Sequence, residues 1–530
     1  MVFSKIKSQA IFRCKEAFRV NKRISKKLKR RKQRIQYRLR PINWEEQDRP
    51  MFSAGNIHYD IADRAGGLAY GGVGGMHLVA KRTGLMKAID ENLKLLKRHL
   101  PYHESDHVLN IAYNIFSNGD CLEDLERLRN DEVYLNALGV QRIPDPTTAG
   151  DFCRRFTDND VEILMDTINH VRLDVWKQQL QEFFNEAVID ADGTITGTTG
   201  ECKEGMDMSY KGIWGYHPLL VSLANTSEPL YLVNRSGNCT SSHNAARYIN
   251  KAIGLCRRGG FKKILIRGDT DFSQTKHLDE WDDQNVRFVF GINAMRNLEK
   301  LADGLPECFW RPLRRPAKYE VGTEPRQRPE NVKERIVVER EYKNIRLQSE
   351  DVAEFKYSPT KCKKTYRIVV LRKNLSVEKG EQVLFDDIRY FFYITNDFEA
   401  TSAEIVRLAN KRCNQENLIE QLKNGVKAMR MPVDNLTSNW AYMVMASLAW
   451  TLKAWFALLL PEKGRWKQKY KADKQAVLKM EFKKFHNAFI QLPCQIVRTG
   501  RKILYRILSW NPWLDVFFRG LKILRYPLRC

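Results

Sequence analysis

The sequence predicts an α/β fold built around a mixed β-sheet, with helical regions before and after it in the chain. Between residues 187 and 293, short β-type runs and helical segments follow one another as three strands, helix, strand, helix, strand. On either side, apolar residues recur at the three- and four-residue spacing of amphipathic helices. The length of 530 residues and the 43% hydrophobic content provide for a large core and several domains.

The charge of the chain is concentrated at its two ends. The formal net charge is +26. Residues 1–41 hold 16 Lys and Arg against one acid, Glu16, and residues 461–530 hold 17 against four, so the part between is near neutral. Lys and Arg displace condensed counterions from phosphates, which favours a nucleic-acid partner over a basic tail that only aids solubility.

Changes in pattern divide the chain into regions. The glycine-rich residues 66–75 are expected to form a flexible joint, because glycine loses the most conformational freedom on ordering. The segment after the sheet motifs contains β-type pieces with charged connectors, which indicates an insertion. The predicted regions are a basic arm at 1–65, a helical region at 76–182, a core at 186–293 and 388–437, a β-rich insertion at 294–387, and a basic helical region at 438–530.

Three further features bear on the class of protein. The most apolar window, Trp440 to Leu460, is interrupted by Lys453 and predicts a buried core helix, with no membrane partner. The 11 cysteines contain no CxxC pair, which is typical of a reducing cytosol. His99, His103 and His107 have the spacing of zinc ligands on a helix, but Pro101 would break that helix, so solvated loop histidines are predicted.

Acidic residues follow the ends of predicted strands. Asp190 and Asp192 end the run AVIDAD, and Asp269 follows KKILIRG. Ligand sites of α/β sheets lie at such strand ends, so these side chains are expected to meet. Magnesium prefers carboxylate oxygens, and two such ions clamp both oxygens of a phosphoryl displacement. Alternatively, each Asp taken alone is a turn residue.

A third acid lies on a long helix that is predicted to begin at Ser402, capped by Thr401 or by Ser402 itself. At about 100° per residue, one face of this helix carries both acids and cations. Glu416 on that face is either a metal ligand beside a phosphate backbone or part of a solvated face with pairs such as Arg412–Glu416. The predicted face consists of Arg412, Glu416, Glu420, Lys423 and Lys427.

The order Asp-Gly-Thr, Ile-Arg-Gly-Asp and Arg-x3-Glu-x6-Lys resembles bacterial insertion-sequence transposases with an RNase H-like core, and most of all the 1380-type family. Supporting motifs are GYHPLL at 215–220, RSGNCTSSHNA at 235–245, IRGDTDF at 266–272 and RCNQENLIEQLKNG at 412–425. The resemblance covers about residues 76–510. It departs from the family at Ala409, where Tyr is usual, and at Asp271, where Gly is common.

The resemblance implies that Asp192, Asp269 and Glu416 are the catalytic metal ligands for two Mg²⁺ or Mn²⁺ ions, as in that family. Asp190 and Asp271 are the reserve carboxylates. It further implies that Arg412 and Lys423 contact DNA, and Lys427 on the same predicted face joins them.

The implied function is that of a cytoplasmic, nucleoid-associated bacterial transposase. It would bind terminal inverted repeats with its basic arm, its helical region 76–182 and its basic C-terminal region. It would then cut the DNA and transfer the strand as a homodimer in a synaptic complex. The alternatives are an RNase H-like metal nuclease without strand transfer and an inactive DNA-binding relative.

Overall fold

The computed structural model describes residues 22–40, 58, 66–99, 101–198, 200, 202–314, 346–378, 381–499 and 502–524. The remainder of the predicted basic arm, and residues 315–345 of the predicted insertion, lie outside the described residues. The arm contains helix α1 (Lys22–Arg38). Arg31 on α1 donates hydrogen bonds to the carbonyl oxygens of Ile507 and Ser509 at 2.9 and 2.8 Å, which attaches the arm to the C-terminal region.

The N-terminal region before the central sheet folds as a set of short helices. Side-chain caps define several starts: Asp131, Asp145 and Thr157 each accept hydrogen bonds from the first-turn backbone. The elements are strand β1 (Gly67–Leu68) and helices α2 (Val73–Arg82), α3 (Leu85–Asn92), α4 (Glu104–Phe116), α5 (Leu125–Arg129), α6 (Glu132–Leu138), α7 (Pro146–Arg154) and α8 (Asp158–Trp176).

The glycine-rich segment 66–75 is packed against the C-terminal region, so the expectation of a flexible joint is wrong. A Cβ atom added at Gly72 would lie 1.9 Å from the carbonyl oxygen of Phe489, and one at Gly71 would lie 2.5 Å from that of Leu492. The glycines therefore serve the close approach of two backbones.

The central sheet has the predicted order of elements. Its strands are β2 (Glu186–Gly193), β6 (Leu219–Leu223), β7 (Glu228–Val233), β8 (Lys263–Gly268) and β9 (Arg287–Ile292), with helix α9 (Ala245–Arg258) before β8 and helix α10 (Leu278–Asp283) before β9. β2 is parallel to β8 and β8 to β9, whereas β6 and β7 follow β2 as antiparallel neighbours. A small second sheet joins β3 (Thr196–Gly197), β4 (Asp207–Met208) and β5 (Trp214–Tyr216).

The predicted β-rich insertion extends the central sheet. After helix α11 (Arg296–Asp303), the strands β10 (Arg311–Pro312), β11 (Arg346–Tyr357), β12 (Tyr366–Glu378) and β13 (Glu381–Thr395) add to β9. The resulting sheet has nine strands in the order β10-β11-β12-β13-β9-β8-β2-β6-β7. The predicted boundary between residues 387 and 388 falls within β13, because this strand pairs with both the insertion and the core.

The long helix predicted from Ser402 is divided. Helix α12 (Ser402–Asn410) is capped by Thr401, helix α13 (Cys413–Glu420) follows, and a π-helical turn covers Gln421–Gly425. The division has a tertiary cause: the carbonyl of Leu408, which would accept the Arg412 N–H in a continuous helix, accepts from Arg267 at 3.0 Å. The Arg412 N–H donates to Ala409 instead.

The C-terminal region begins with helix α14 (Leu436–Leu458), which is long and apolar enough to cross a membrane but is wholly buried in its most apolar window. The predicted core helix is therefore confirmed. The region is not helical throughout, because residues 494–499 and 502–507 form two antiparallel strands, the first of which also pairs with β1. Its further elements are α15 (Lys467–Leu478), α16 (Phe482–Phe485), a π-helical turn (His486–Ile490), β14 (Cys494–Thr499), β15 (Lys502–Ile507) and α17 (Leu514–Ile523).

A buried carboxylate joins the helical body to the sheet. Glu228 in β7 accepts hydrogen bonds from Arg172 Nε at 3.0 Å and Trp176 Nε1 at 3.1 Å, both on α8. It also accepts from Trp455 Nε1 on α14 at 3.0 Å and from Thr226 Oγ1 at 2.7 Å. This cluster fixes two helices on one side of the sheet.

Candidate active site

Two of the predicted acids lie at the same edge of the central sheet. β2 and β8 are parallel neighbours, with Asp190 opposite Arg267. Two residues further along each strand, Asp192 is the penultimate residue of β2 and Asp269 directly follows β8. Burial raises the pKa of Asp192 to about 7, against the opposing effect of the Arg412 guanidinium and with the added repulsion of Asp269. Burial likewise raises the pKa of Asp269.

Glu416 is brought to these aspartates by helix α13. The guanidinium of Arg412 lies between the acids, with Nη1 3.0 Å from Asp192 Oδ2 and Nη2 3.8 Å from Glu416 Oε1. The side chain of Glu416 is 62% exposed and that of Asp192 12% exposed. The charges of Asp269 and Glu416 both act on Asp192. Arg412 therefore pairs with Asp192 and Glu416, and its charge also acts on Asp269.

The donor set suits a hard cation, because it consists of carboxylate oxygens from three separate elements. The ligand oxygens of the three carboxylates are not all within 4.8 Å of one another. In the described part of the chain, the one group of three ligating side chains with all ligand atoms within 4.8 Å is His99, His103 and Glu104. Asp192, Asp269 and Glu416 form what we call the acidic edge of the sheet. There, the positive charge of Arg412 lies between Asp192 and Glu416. A cation bound there would take over its role in offsetting the carboxylate repulsion.

The reserve carboxylates are placed differently. Both oxygens of Asp190 accept hydrogen bonds from Arg267, at 2.7 Å each, and the pair is buried, so Asp190 is committed to a structural ion pair. β8 ends at Gly268, and Asp271 lies in a 3₁₀ turn (Thr270–Phe272) with its N–H on Asp269 Oδ1 at 3.0 Å. Because the strand does not continue to Asp271, this residue does not share a strand face with Asp269.

The two lysines predicted on the glutamate face have internal partners. Lys423 Nζ donates to the carbonyl of Ile195 at 2.8 Å, and burial lowers its pKa. Lys427 lies beyond the π-helical turn in a left-handed conformation with φ 53°, and its Nζ is 3.6 Å from Asp120 Oδ1. The expectation that Lys427 shares the helical face of Glu416 is wrong, because the helix ends at Gly425.

A glutamine next to Glu416 was not foreseen from the sequence. Gln415 is buried, and its Nε2 donates to the carbonyl of Leu220 at 3.2 Å while its Oε1 accepts from Ser222 Oγ. Leu220 is the register partner of Asp192 across the β2–β6 pair. Gln415 thus fixes α13 relative to the strand that carries Asp192. The sequence signal was weak: one polar residue on the apolar side of a helix.

A buried arginine shapes the other side of the acidic edge. Arg235 Nε donates to the carbonyl of His217, and its Nη1 donates to the carbonyls of Ser241 and His243 at 2.9 and 2.8 Å. A Cβ atom at Gly193 would lie 2.9 Å from His217 Nε2. The residue after Asp192 is therefore a glycine because His217 packs against its backbone.

The histidines considered as zinc ligands separate into two environments. His99 and His103 stack at 4.3 Å beside Glu104, whose Oε2 is 3.0 Å from His99 Nε2. His103 is the N-cap residue of α4, so these two lie before the helix as predicted. His107 lies inside α4, stacks on Phe152 at 4.2 Å and is buried, which lowers its pKa to about 4. The prediction of a solvated loop position is wrong for His107.

Comparison with known proteins gives the family. The model described as transposase DDE domain group 1 matches residues 67–527. The comparison with curated proteins gave no match. Among solved structures, a piggyBac transposase synaptic complex with hairpin DNA is 9% identical, with 78% of each chain covered and a TM-score of 0.32. Because the family model spans most of its length, the chain belongs to the transposase DDE domain group 1 family.

Proposed function

We propose that this transposase cuts DNA at the ends of an insertion sequence and joins them to a target, with Asp192, Asp269 and Glu416 as its catalytic carboxylates. The observation that carries the proposal is the position of these acids around Arg412. Its guanidinium pairs with Asp192 and Glu416, and Asp269, at the end of the parallel neighbouring strand, lies within range of its charge. The order β9-β8-β2-β6-β7 supports an RNase H-like core. The 1380-type family is proposed on the sequence motifs alone.

The chain's own residues supply position and charge. When bound, two Mg²⁺ or Mn²⁺ ions would activate the attacking oxygen and stabilise the leaving oxygen of a phosphoryl transfer. Asp192 and Asp269 are fixed by strand ends, and Glu416 reaches them from the exposed side on α13. Arg412, released from Asp192, would be free to hold a phosphate oxygen of the DNA.

The charged ends of the chain are suited to hold the DNA. Helix α1 presents a strongly basic sequence and is joined by Arg31 to the carbonyls of residues 507 and 509 in the basic C-terminal region. The two cationic regions therefore lie together, which suits one track of DNA phosphates. Terminal inverted repeats come in pairs, so a homodimer in a synaptic complex is proposed, in the nucleoid of a bacterial cytoplasm.

A supercoiled plasmid carrying the gene's own flanking DNA tests the proposal. Purified protein with Mg²⁺ or Mn²⁺ should give double-strand breaks at the flanks and strand-transfer products. Nicking or cutting without strand transfer would instead identify a nuclease, and shifted but uncut DNA would identify a DNA-binding regulator.

Substitution at the acids completes the test. Asp192→Asn, Asp269→Asn and Glu416→Gln should each abolish cutting and retain DNA binding. Asp174→Asn, an exposed helix residue paired with Lys177, is the matched control and should cut like the unaltered protein. Cutting by any of the three variants would remove that residue from the site.

A further inference from the structure

The hairpin formed by β4 and β5 exposes a group of large apolar side chains. Contiguous exposed apolar groups on a folded protein commonly mark binding surfaces. Met208 and Trp214 are register partners, and the turn between them carries the other two. The exposed fractions are 50% for Met208, 75% for Tyr210, 41% for Ile213 and 44% for Trp214.

This hairpin borders the acidic edge. β3, which pairs with β5, begins at Thr196, four residues after Asp192, so the backbone path between them is at most about 15 Å. The ring of Tyr210 lies 6.5 Å from that of His217, centroid to centroid. His217 in turn packs on Gly193, next to Asp192. Tyr210 is therefore separated from Gly193, the residue next to Asp192, by a single side chain, that of His217.

Hydrogen bonds fix the backbone of the turn between β4 and β5. The Ser209 N–H donates to the carbonyl oxygen of Ile213 at 2.9 Å, and the Ile213 N–H donates to Ser209 Oγ at 3.0 Å. A Cβ atom at Gly215 would lie 2.1 Å from the carbonyl oxygen of Thr196, so β5 presses directly on β3. These contacts fix the backbone of the hairpin, while the side chains of Met208, Tyr210, Ile213 and Trp214 remain exposed.

A positive charge lies next to the exposed aromatic side chains of the hairpin. Lys211 Nζ lies 5.5 Å from the centroid of the Tyr210 ring. The charge of Lys211 acts on Lys423, which is bonded to Ile195 in the segment that leads from Asp192 to β3. Aromatic faces beside cations bind single-stranded nucleic acid, because bases stack on the rings and phosphates pair with the cations.

We infer that Tyr210 and Trp214 form a stacking site for an unpaired base of the DNA strand, next to the phosphate that reacts at the carboxylates. The inference rests on the proposed function. A base within a duplex shows only its edges, so only a base that has left the helix offers a face to these rings. A protein partner is less well matched, because the apolar group is confined to one hairpin and is flanked by lysines on the side of the acids.

Photocrosslinking tests the stacking site. Oligonucleotide duplexes carry 5-iodouracil at each position flanking the cleavage point that the plasmid assay defines. The Asp192→Asn protein binds them without cutting. Irradiation should crosslink the peptide that contains Tyr210 and Trp214, as identified by mass spectrometry. A crosslink confined to other peptides would overturn the inference.

Substitutions give the second readout. Tyr210→Ala and Trp214→Ala should remove the crosslink and weaken binding of a duplex with one unpaired base at that position about 5- to 150-fold. Phe398→Ala is the matched control: its ring is 55% exposed in the turn after β13, at the opposite end of the sheet from Asp192. Equal binding by all three variants would overturn the inference.

The outcomes separate this inference from the proposed function. Failure of the unaltered protein to cut DNA counts against the proposed function. Cutting by the unaltered protein without a hairpin crosslink counts against the stacking site alone. If the hairpin variants instead change the sedimentation of the DNA-free protein, the face joins two copies of the chain and the stacking site is overturned.

Discussion

Replacing Glu228 by Gln should strongly destabilise the protein, because this carboxylate is the common acceptor of four donors. It is fully buried, and Arg172, one of the donors, is buried with it. Oε1 receives Arg172 and Trp455, and Oε2 receives Trp176 and Thr226. The amide keeps one acceptor oxygen, loses the charge and turns an NH₂ group towards two donors.

The magnitude follows from these contacts. Leaving one member of a buried ion pair without its partner costs about 3–5 kcal/mol. With the NH₂ group in place of Oε2, the Trp176 N–H loses a neutral hydrogen bond of about 1 kcal/mol, whereas the Thr226 hydroxyl can turn and accept from the NH₂ group. Relaxation recovers part of this sum, so we expect Glu228→Gln to lower the free energy of unfolding by about 3–5 kcal/mol.

Urea unfolding followed by tryptophan fluorescence measures the effect, and Trp176 and Trp455 themselves report on the site. The control is the double variant Arg172→Met with Glu228→Gln, which removes the stranded charge as well. It should recover much of the loss, giving a clearly non-additive double-mutant cycle. An unfolding midpoint of Glu228→Gln equal to that of the unaltered protein, or additive effects in the cycle, would refute the reasoning.

Three further predictions concern other parts of the molecule. Burial lowers the pKa of Lys453 to about 7, so the folded state binds fewer protons than the unfolded state between pH 7 and the ordinary lysine value. Stability should therefore rise with pH across that window, and Lys453→Met should flatten the rise, as urea midpoints at pH 6 and 9 would show; an unchanged slope contradicts this. Gln415→Ala should reduce DNA cutting about 10- to 100-fold with DNA binding retained, since a displaced catalytic helix impairs positioning; equal loss of binding would identify a folding defect instead. Gly72→Ala should lower the melting temperature because its Cβ would meet the Phe489 carbonyl at 1.9 Å, whereas Gly254→Ala, with nothing within 4 Å inside α9, should raise stability by about 0.5–1 kcal/mol; the reverse order of the two melting temperatures would contradict the packing argument.

The sequence alone predicted the order of strands and helices in the core and the helical regions around it. Those features depend on local periodicity and turn residues, which can be read without knowing long-range contacts. It also predicted that Asp192 and Asp269 would lie at one edge, because strand ends in an α/β sheet share an edge. The motif order indicated a DDE transposase, and the family model that matches residues 67–527 confirms that family at the level of the domain.

Other features were decided by contacts between residues far apart in the chain. The resemblance favoured Asp192 and kept Asp190 in reserve, but only Arg267 on the neighbouring strand shows that Asp190 is committed to an ion pair. The same arginine takes the Leu408 carbonyl and so divides a helix that local periodicity predicted as continuous.

The glycine-rich segment shows the same principle. Its composition predicted flexibility, yet residues 71 and 72 pack against backbone carbonyls at Leu492 and Phe489, more than 400 positions later. Propensity and periodicity record what a segment favours by itself. The donors, acceptors and backbones that a segment meets depend on the folded chain. These contacts override local preferences, because an unpaired polar group or a steric overlap in the interior costs more than a local preference contributes.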